Sequence, residues 1–382
     1  MKIGKLETFP VPPRWLFLRM ETDEGVVGWG EPIVEGRAAT VAAAVAELAE
    51  LLVGRDPGTI EDHWQTLTKG GFYRGGPVLS SAVAGIDQAL WDIKGKTLGV
   101  PVHDLLGGPV RDTVRVYPWI HGTSPGELAD SARAAVAAGY DAMKFAAADG
   151  PLRPLDSPAA LREIVARAAA VREAVGEHVD MALDFHGRAS RALARQVLPA
   201  LEELRPLFAE EVLLPEYSRD LRAVAENTTV PLATGERLYS RWDFRDVVTT
   251  GIAVVQPDLS HAGGISEVRR IAALAEAHDV LVAPHCPLGP IALAASLQID
   301  FATPNTLIQE HSLGASYGAG DGLLAHLVDP EVFRFERGRV ARPTGPGLGV
   351  EIDEASVRAA ARRDHGWRNP VWRHEDGSLA EW

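Results

Sequence analysis

Short apolar runs alternate with stretches of helical pattern over most of the chain beyond residue 113. Eight such runs are present, and they read VRVYPWI, AMKFAA, DMALDF, LFAEEV, PLATGE, AVVQPD, VLVAPH and TLIQE. Runs of strand length that alternate with helices are typical of repeated βα units around a parallel sheet. Eight units over roughly 200–230 residues match a closed barrel better than an open doubly wound sheet. We therefore predict an α/β fold built on a TIM-type barrel.

Local signals support this interpretation. Ser124, Pro125 and Glu127 combine an N-cap serine, a first-turn proline and a capping-box glutamate, which together predict a helix start. The sequence has no GxGxxG motif where the first strand would lead into a helix. Its absence argues against the dinucleotide-binding alternative.

The residues that flank the barrel follow different patterns. RWLFLRMETDEGVVGWGEP alternates apolar and polar residues around a turn, whereas ATVAAAVAELAELLVG and SAVAGIDQALWDIKGKTLG have helical spacing. The tail from residue 336 lacks the βα rhythm. We predict an α+β unit over 1–112, a barrel over 113–335 and a tail over 336–382 that returns to the first unit.

Composition limits the partner and the compartment. The 382-residue chain is 46% hydrophobic and 24% charged, as ordinary globular proteins are. A net charge of −14, without a basic stripe, argues against a nucleic-acid partner. Cys286 is the single cysteine, and neither a signal-peptide pattern nor an apolar run of membrane-helix length is present. We expect a cytoplasmic homo-oligomer that binds a small molecule and neither nucleic acid nor membrane.

Acids and histidines recur where the predicted strands end. They are Asp184, His186, Glu210, Glu236, Asp258, His285 and Glu310. After Asp184, the members on successive strands follow at intervals of 22 to 27 residues, about one βα unit. Because the strands of such a barrel all end at one rim, where barrel active sites lie, we expect these side chains to form a ring.

Three of these acids are the candidate metal ligands. A single acid at a strand end is often a helix N-cap or half of a surface ion pair. Three carboxylates on adjacent strands would repel one another, and a divalent cation removes that repulsion. An oxygen-only site without a thiolate suits Mg²⁺, so we predict one Mg²⁺ held by Asp184, Glu210 and Glu236. Glu211 is expected to point away from this site.

Two of the twelve histidines are candidates for proton transfer. Alternate side chains of a strand share a face, so His186 and Asp184 should point to the same place. Asp258 lies one predicted strand before His285, where it could orient the ring and raise its basicity. We expect the other ten histidines to be structural, with His311 on the opposite side from Glu310.

Lys144, in the run AMKFAA, allows a rival chemistry. A desolvated barrel lysine can form a Schiff base with a carbonyl substrate, which would make the protein a metal-free aldolase. That reading leaves the three carboxylates unexplained. Loops near the N-terminus also carry side chains suited to substrate binding. The candidate substrate contacts are Arg14, Trp15, Tyr73 and Lys144.

These motifs together resemble the mandelate racemase subgroup of the enolase superfamily. The likeness spans nearly the whole chain, through VPPRW, GVVGWGEP, GFYRGGP, AGIDQALWDIKGK, LDFHGR, TGERLYS, QPDLSHAGGI, APHCPLGPIALAA, PGLGVEID and WRNPVWRHED. The resemblance implies an α+β N-terminal capping domain, completed by the C-terminal tail, on a modified (β/α)7β barrel. It also implies a sugar-acid dehydratase with one Mg²⁺ per subunit.

The resemblance implies a catalytic or metal-binding role for each residue of the ring. The metal ligands would be Asp184, Glu210 and Glu236. His285, with Asp258 behind it, would remove the proton at C2 of the substrate. His186 would protonate the departing C3 hydroxyl, and Glu310 would stabilise the transition state.

Departures from the family pattern narrow the chemistry. The family usually reads EEP after the fourth barrel strand, where this chain has Val212. Racemases of the subgroup place a second lysine two residues after Lys144, where this chain has Ala146, and this disfavours a two-base racemase. The stretch 145–158 is the poorest match. A dehydratase or epimerase of another sugar acid, and a barrel that binds a sugar acid without turnover, stay open as alternatives.

Overall fold

The structure is a computed structural model that describes residues 1–152, 158–312, 324–363 and 366–381. Its N-terminal part is an antiparallel sheet followed by helices. The strands are β1 (Ile3–Val11), β2 (Trp15–Thr22) and β3 (Val27–Gly30), paired in the order β1-β2-β3. The helices are α1 (Ala38–Ala49), α2 (Ile60–Lys69), α3 (Pro77–Leu98) and α4 (Val102–Leu105).

A parallel barrel follows, and each of the eight predicted runs contributes one strand to it. The strands are β4 (Thr113–Pro118), β5 (Ala142–Ala146), β6 (Asp180–Asp184), β7 (Phe208–Glu210), β8 (Leu232–Thr234), β9 (Val254–Val255), β10 (Leu281–Val282) and β11 (Gln309–His311). A continuous parallel ladder joins β5 to β10, and β11 pairs with β4. Single parallel bridges, Trp119 with Lys144 and Val282 with Thr306, complete the circle.

One helix lies in each of the seven connections between barrel strands, which is the (β/α)7β order. These helices are α5 (Pro125–Ala137), α6 (Pro158–Val175), α7 (Arg191–Leu201), α8 (Leu221–Ala225), α9 (Arg241–Val247), α10 (Gly264–Glu276) and α11 (Pro290–Ala302). The predicted capping box forms at α5, because the Glu127 amide donates to Ser124 Oγ and the Ser124 amide donates back to the Glu127 carboxylate. The predicted fold class is confirmed.

The chain after the barrel contacts both other parts. Its elements are β12 (Phe335–Glu336), β13 (Arg339–Ala341) and α12 (Glu354–Ala360). β13 pairs antiparallel with the start of β4, and the Glu354 carboxylate accepts a 2.9 Å hydrogen bond from Arg19 on β2. The division of the chain at residues 112 and 335 stays a prediction.

In the described ranges, no helix has both the length and the apolar character needed to cross a membrane.

Asp92, buried on α3, connects the N-terminal sheet to the C-terminal segment. One carboxylate oxygen accepts from the Trp29 amide at 2.9 Å and from Lys96 Nζ at 2.7 Å. The other accepts from the Leu348 amide at 2.9 Å. A single buried side chain therefore satisfies backbone donors from two distant parts of the chain.

We expect Asp92→Ala to lower the free energy of unfolding by about 2–4 kcal/mol, because it leaves two buried amides without an acceptor. Urea unfolding followed by circular dichroism measures this loss. The exposed Asp62→Ala on α2 is the matched control and should cost less than about 1 kcal/mol. Equal urea midpoints for the two variants would contradict the role given to Asp92.

Candidate active site

Inside the barrel, a layer of mostly apolar side chains is followed by a layer of polar side chains nearer the carboxyl ends of the strands. Small and large buried side chains fill the barrel interior, and they are Tyr117, Ala142, Ala182, Phe208, Ala233, Val254, Ala283 and Ile308. Because side chains two residues apart in a strand share a face, the next inward positions follow at fixed offsets. Those positions are Trp119, Lys144, Asp184, Glu210, Gln256, His285 and Glu310. The alternation of the strands thus accounts for most of the predicted ring.

Asp184, Glu210 and Glu236 each offer one oxygen, and the three oxygens lie within 4.8 Å of one another. Among the described residues, Asp184 Oδ2 and Glu236 Oε2 are buried oxygens that accept no hydrogen bond. Buried carboxylate oxygens normally have partners, so this pair has free capacity for a cation. The chemistry of the donor set therefore fits a metal ion with oxygen ligands.

Inside the barrel, the Lys144 ammonium pairs with the Glu210 carboxylate, and the Gln256 amide hydrogen-bonds to it. Lys144 Nζ lies 2.8 and 2.9 Å from the two Glu210 oxygens and 3.0 Å from Glu310 Oε1. Gln256 Nε2 donates to Glu210 Oε2 at 2.7 Å. Burial alone would lower the pKa of Lys144, but the Glu210 and Glu310 carboxylates outweigh burial and raise that pKa well above its ordinary value. A Schiff-base lysine must lose its proton, so this environment disfavours the aldolase alternative.

His285 and Asp258 form the predicted pair. Nδ1 of His285 lies 2.8 Å from Asp258 Oδ2, and a parallel bridge joins the two residues. The other ring nitrogen, Nε2, lies 3.3 Å from Glu236 Oε2. The imidazole therefore stands between an orienting carboxylate and a candidate metal ligand.

His186 reaches the same region by a different route from the one predicted. β6 ends at Asp184, and His186 has a left-handed φ of 48°, so strand alternation does not set its direction. Its amide donates to Asp184 Oδ1 at 2.8 Å, and its Nε2 lies 3.2 Å from Asp184 Oδ2. Asp184 therefore fixes the turn that aims His186 into the site.

Burial is the largest cause of the pKa shifts of the three clustered carboxylates and of His186. Burial raises the pKa of Asp184 to about 6 despite the nearby Lys144 ammonium, and burial likewise raises the pKa of Glu210 and of Glu236. Burial also lowers the pKa of His186 well below its ordinary value, and the Arg188 guanidinium acts in the same direction. Together these shifts show how strongly burial in this site disfavours the charged forms.

Burial alone would lower the pKa of His285, but the Glu236 and Asp258 carboxylates outweigh it and raise that pKa well above its ordinary value. The two histidines thus differ in their carboxylate neighbours and in their proton affinity.

Glu310 and Glu211 have different hydrogen-bond partners. The Cys286 amide donates to Glu310 Oε2 at 3.1 Å, so Glu310 bridges the β10 and β11 ends of the barrel. Glu211 has a left-handed φ of 44° and binds Arg237 through two hydrogen bonds of 3.0 and 2.7 Å. Glu211 thus holds an arginine of the cavity wall, and it lies close enough to Glu236 to hydrogen-bond with it, although we expected it to point away from the site.

A cavity of about 720 Å³ adjoins the ring. Its wall includes the ring members Lys144, Asp184, His186, Glu236, His285 and Glu310. Of the candidate substrate contacts, Arg14 and Lys144 line it. Trp15 is instead buried at 1% exposure, and Tyr73 is 87% exposed beside a second cavity.

Sequence reasoning missed several residues of the cavity wall. His121 and His261, which we expected to be structural, both line the cavity, as do Arg188 and Arg237. His261 follows Asp258 by three residues and Arg188 follows His186 by two, so proximity to a ring member was an available signal. His311 lies on the other side from Glu310, as predicted, and stacks on Phe335 at 4.1 Å.

Val212 and Ala146, the two residues that depart from the family pattern, lie in different parts of the structure. Val212 is fully buried in the core, whereas Ala146 lines the cavity. Within the poorly matching stretch 145–158, residues 153–157 lie outside the described part of the chain.

Known families match both parts of the sequence. The model described as "Mandelate racemase / muconate lactonizing enzyme, N-terminal domain" matches residues 12–107. The model described as "Enolase C-terminal domain-like" matches residues 127–356.

Relatives are similar over the full length. D-galactonate dehydratases of Variovorax paradoxus and Ralstonia nicotianae are 53% and 54% identical over 383 aligned positions, which cover 100% of each chain.

Solved structures share the fold. An enolase from Agrobacterium radiobacter, bound to Na and L-malate, has a TM-score of 0.91 at 32% identity and covers 100% of both chains. A mandelate racemase/muconate lactonizing enzyme from Jannaschia has a TM-score of 0.88 at 32% identity, covering 96% of this chain and 100% of the other.

We expect Mg²⁺ to raise the melting temperature by several degrees, because a ligand at a hundred times its Kd stabilises the native state by roughly 2.7 kcal/mol. Glu236→Gln keeps the shape of the side chain but removes its charge, and it should abolish most of this increase. Differential scanning calorimetry with and without Mg²⁺ measures the effect.

Glu35→Gln is the matched control, since Glu35 lines the same cavity outside the carboxylate trio. It should retain the Mg²⁺-dependent increase. A full increase in Glu236→Gln would exclude Glu236 as a metal ligand.

Proposed function

Because the chain belongs to the mandelate racemase/muconate lactonizing enzyme family of the enolase superfamily, we propose that it is a metal-dependent dehydratase that acts on the sugar acid D-galactonate. One observation carries this proposal above the others. Three clustered carboxylates stand between two histidines with different surroundings, and two of the carboxylates, Asp184 and Glu236, line a single cavity together with both histidines. Such a site can remove a proton beside a carboxylate on one side and protonate a leaving hydroxyl on the other.

The difficult step is loss of the C2 proton, because the resulting ene-diolate concentrates negative charge. In enzymes of this superfamily generally, a divalent cation stabilises that charge when bound. Mg²⁺ is the cation we propose, since all three candidate ligands are carboxylates. Asp184, Glu210 and Glu236 would hold it.

His285 would accept the C2 proton at Nε2. Asp258, 2.8 Å from Nδ1, fixes the ring orientation and leaves Nε2 to face the cavity. His186, once protonated, would give its proton to the C3 hydroxyl, which leaves as water; the lowered pKa of its ring makes the protonated form a strong donor. The remaining enol then tautomerises, so that one D-galactonate yields one water and one 2-dehydro-3-deoxy-D-galactonate.

Lys144 and Glu310 would support this chemistry without transferring a proton. The Glu310 carboxylate lies 3.0 Å from Lys144 Nζ and holds the ammonium against the ring. An ammonium fixed there would favour negative charge as it develops on the substrate. The role of Glu310 in transition-state stabilisation would therefore act through Lys144.

The identity of the sugar acid rests on the full-length relatives at 53% and 54% identity. A dehydratase of another aldonic acid is the alternative. The absence of a second lysine two residues after Lys144, where this chain has Ala146, disfavours a two-base racemase.

Further parts of the proposal concern the protein's setting. We place the enzyme in the cytoplasm, where the single buried thiol of Cys286 would stay reduced. A small sugar acid would be its partner, without nucleic acid or membrane, and the chain would assemble as a homo-oligomer.

Incubation with a panel of aldonic acids and Mg²⁺ tests the substrate. We expect a semicarbazide-reactive keto acid from D-galactonate, much less from its C4 epimer D-gluconate, and none in the presence of EDTA. Binding of D-galactonate without any keto acid would favour a non-catalytic protein. Borohydride trapping of substrate on Lys144 would favour the aldolase.

We expect His285→Asn to lower kcat by roughly 10²–10⁴-fold and to abolish exchange of the C2 proton with solvent deuterium, because both need the base. His186→Asn should also lose turnover, but it should retain C2 exchange wherever proton abstraction is reversible. Proton NMR in D₂O measures exchange. If exchange survives in His285→Asn and disappears in His186→Asn, the acid and base roles are reversed.

A further inference from the structure

Two tryptophans of the C-terminal tail turn inward from an exposed segment. Trp367 and Trp372 are half-buried, while the residues between them are exposed. Val371 is 73% exposed although it is apolar, so general hydrophobicity does not explain which side chains face inward. Both tryptophans line the same cavity as the candidate catalytic residues.

Each tryptophan stacks with an arginine that also lines the cavity. The Arg188 guanidinium carbon lies 4.2 Å from the centre of the Trp372 ring, and the Arg14 carbon lies 5.1 Å from that of Trp367. Both distances are within the range of cation–π contacts. The tail is thereby attached to the barrel at Arg188 and to the N-terminal part at Arg14.

Arg188 stands where three segments meet. It follows His186 in the loop after β6, and its Nη1 lies 3.5 Å from the carbonyl oxygens of Ala148 and Gly150 in the loop after β5. Trp372 covers its face from the tail. A guanidinium stacked on a ring keeps its plane fixed, and its edge can then donate to hydroxyl oxygens in the cavity.

The cavity is larger than the volume that the reacting end of a sugar acid would occupy. The carboxylate, C2 and C3 would be engaged by the ring, and the remaining hydroxyls must meet another part of the wall. Its volume of about 720 Å³ leaves that part to residues outside the ring. The two arginine–tryptophan pairs supply donors and flat apolar surface there.

Resting on the proposed function, we propose that Trp372 and Trp367 are specificity-determining residues for the distal hydroxyl end of the sugar acid. Trp372 acts by holding Arg188 in a fixed orientation, and Trp367 acts in the same way on Arg14. The C-terminal tail thus selects the length of the substrate, while the barrel ring performs the chemistry.

Steady-state kinetics of Trp372→Ala test this inference with two acids. D-galactonate is compared with L-arabinonate, which has the same configuration at C2 to C4 but lacks C6. We expect kcat/KM for D-galactonate to fall roughly tenfold, mainly through KM, since a desolvated cation–π contact is of that size. The inhibition constant of L-arabinonate should change much less, and Trp372→Phe should restore most of the lost affinity.

Trp242→Ala is the matched control. Trp242 also stacks with an arginine, Arg241 at 4.3 Å, but it lines the second cavity and not the catalytic one. This variant should keep wild-type kinetics. Equal losses for both acids in Trp372→Ala, or no loss for either, would overturn the inference.

Failure of the proposed function is distinguishable from failure of this inference. If the wild type dehydrates no sugar acid, the proposed function is wrong, and the tail is tested by trypsin cleavage at Arg368 and Arg373. D-galactonate should slow that cleavage in the wild type and not in Trp372→Ala. Cleavage unaffected by the acid in the wild type would show that the tail does not contact it.

Discussion

The repulsion among Asp184, Glu210 and Glu236 is the constraint on which the rest of this site depends. Their oxygens lie within 4.8 Å of one another, and Asp184 and Glu210 are almost completely buried. Ionised carboxylates in such surroundings are destabilised both by lost hydration and by each other. Rigid barrel strands hold them together, and the Lys144 ammonium together with the Gln256 amide offsets part of the charge. A cluster that costs stability and is only partly compensated is typical of a binding site rather than of structural packing.

The two histidines have opposite pKa shifts because their surroundings differ. His285 lies between Asp258 and Glu236, at 2.8 and 3.3 Å, and both carboxylates favour its protonated form. Burial favours the neutral form of His186, and the nearby Arg188 and Lys144 cations act in the same direction. A cation on the carboxylates would offset part of the negative charge beside His285, lower the pKa of its ring and so favour the neutral imidazole that can accept a proton. The metal and the base are therefore coupled through Glu236, which contacts one and is proposed to bind the other.

Strand periodicity explains how much of the site the sequence could predict. All eight strands were found although some are only two residues long, because each apolar run is flanked by helical patterns. Lys144, Asp184, His285 and Glu310 follow buried interior residues by two positions, so their inward direction comes from strand geometry alone. His186 reached the site through a left-handed turn, which no alternation rule describes.

The residues that sequence reasoning missed come from the convergence of distant segments. His121, His261 and Trp372 meet at one cavity although more than two hundred residues separate the first from the last. Nothing local in WRNPVWRHED indicates which tryptophan turns inward, since that depends on an arginine far away in sequence. The positions of most candidate catalytic residues therefore follow from regular strands and can be predicted from their spacing in the sequence. The distal end of the substrate would be bound by loops and the tail, whose positions depend on tertiary packing. If the proposed roles hold, a change in the tail would alter which acid is accepted without disturbing the strand ends that position the carboxylates and the two histidines.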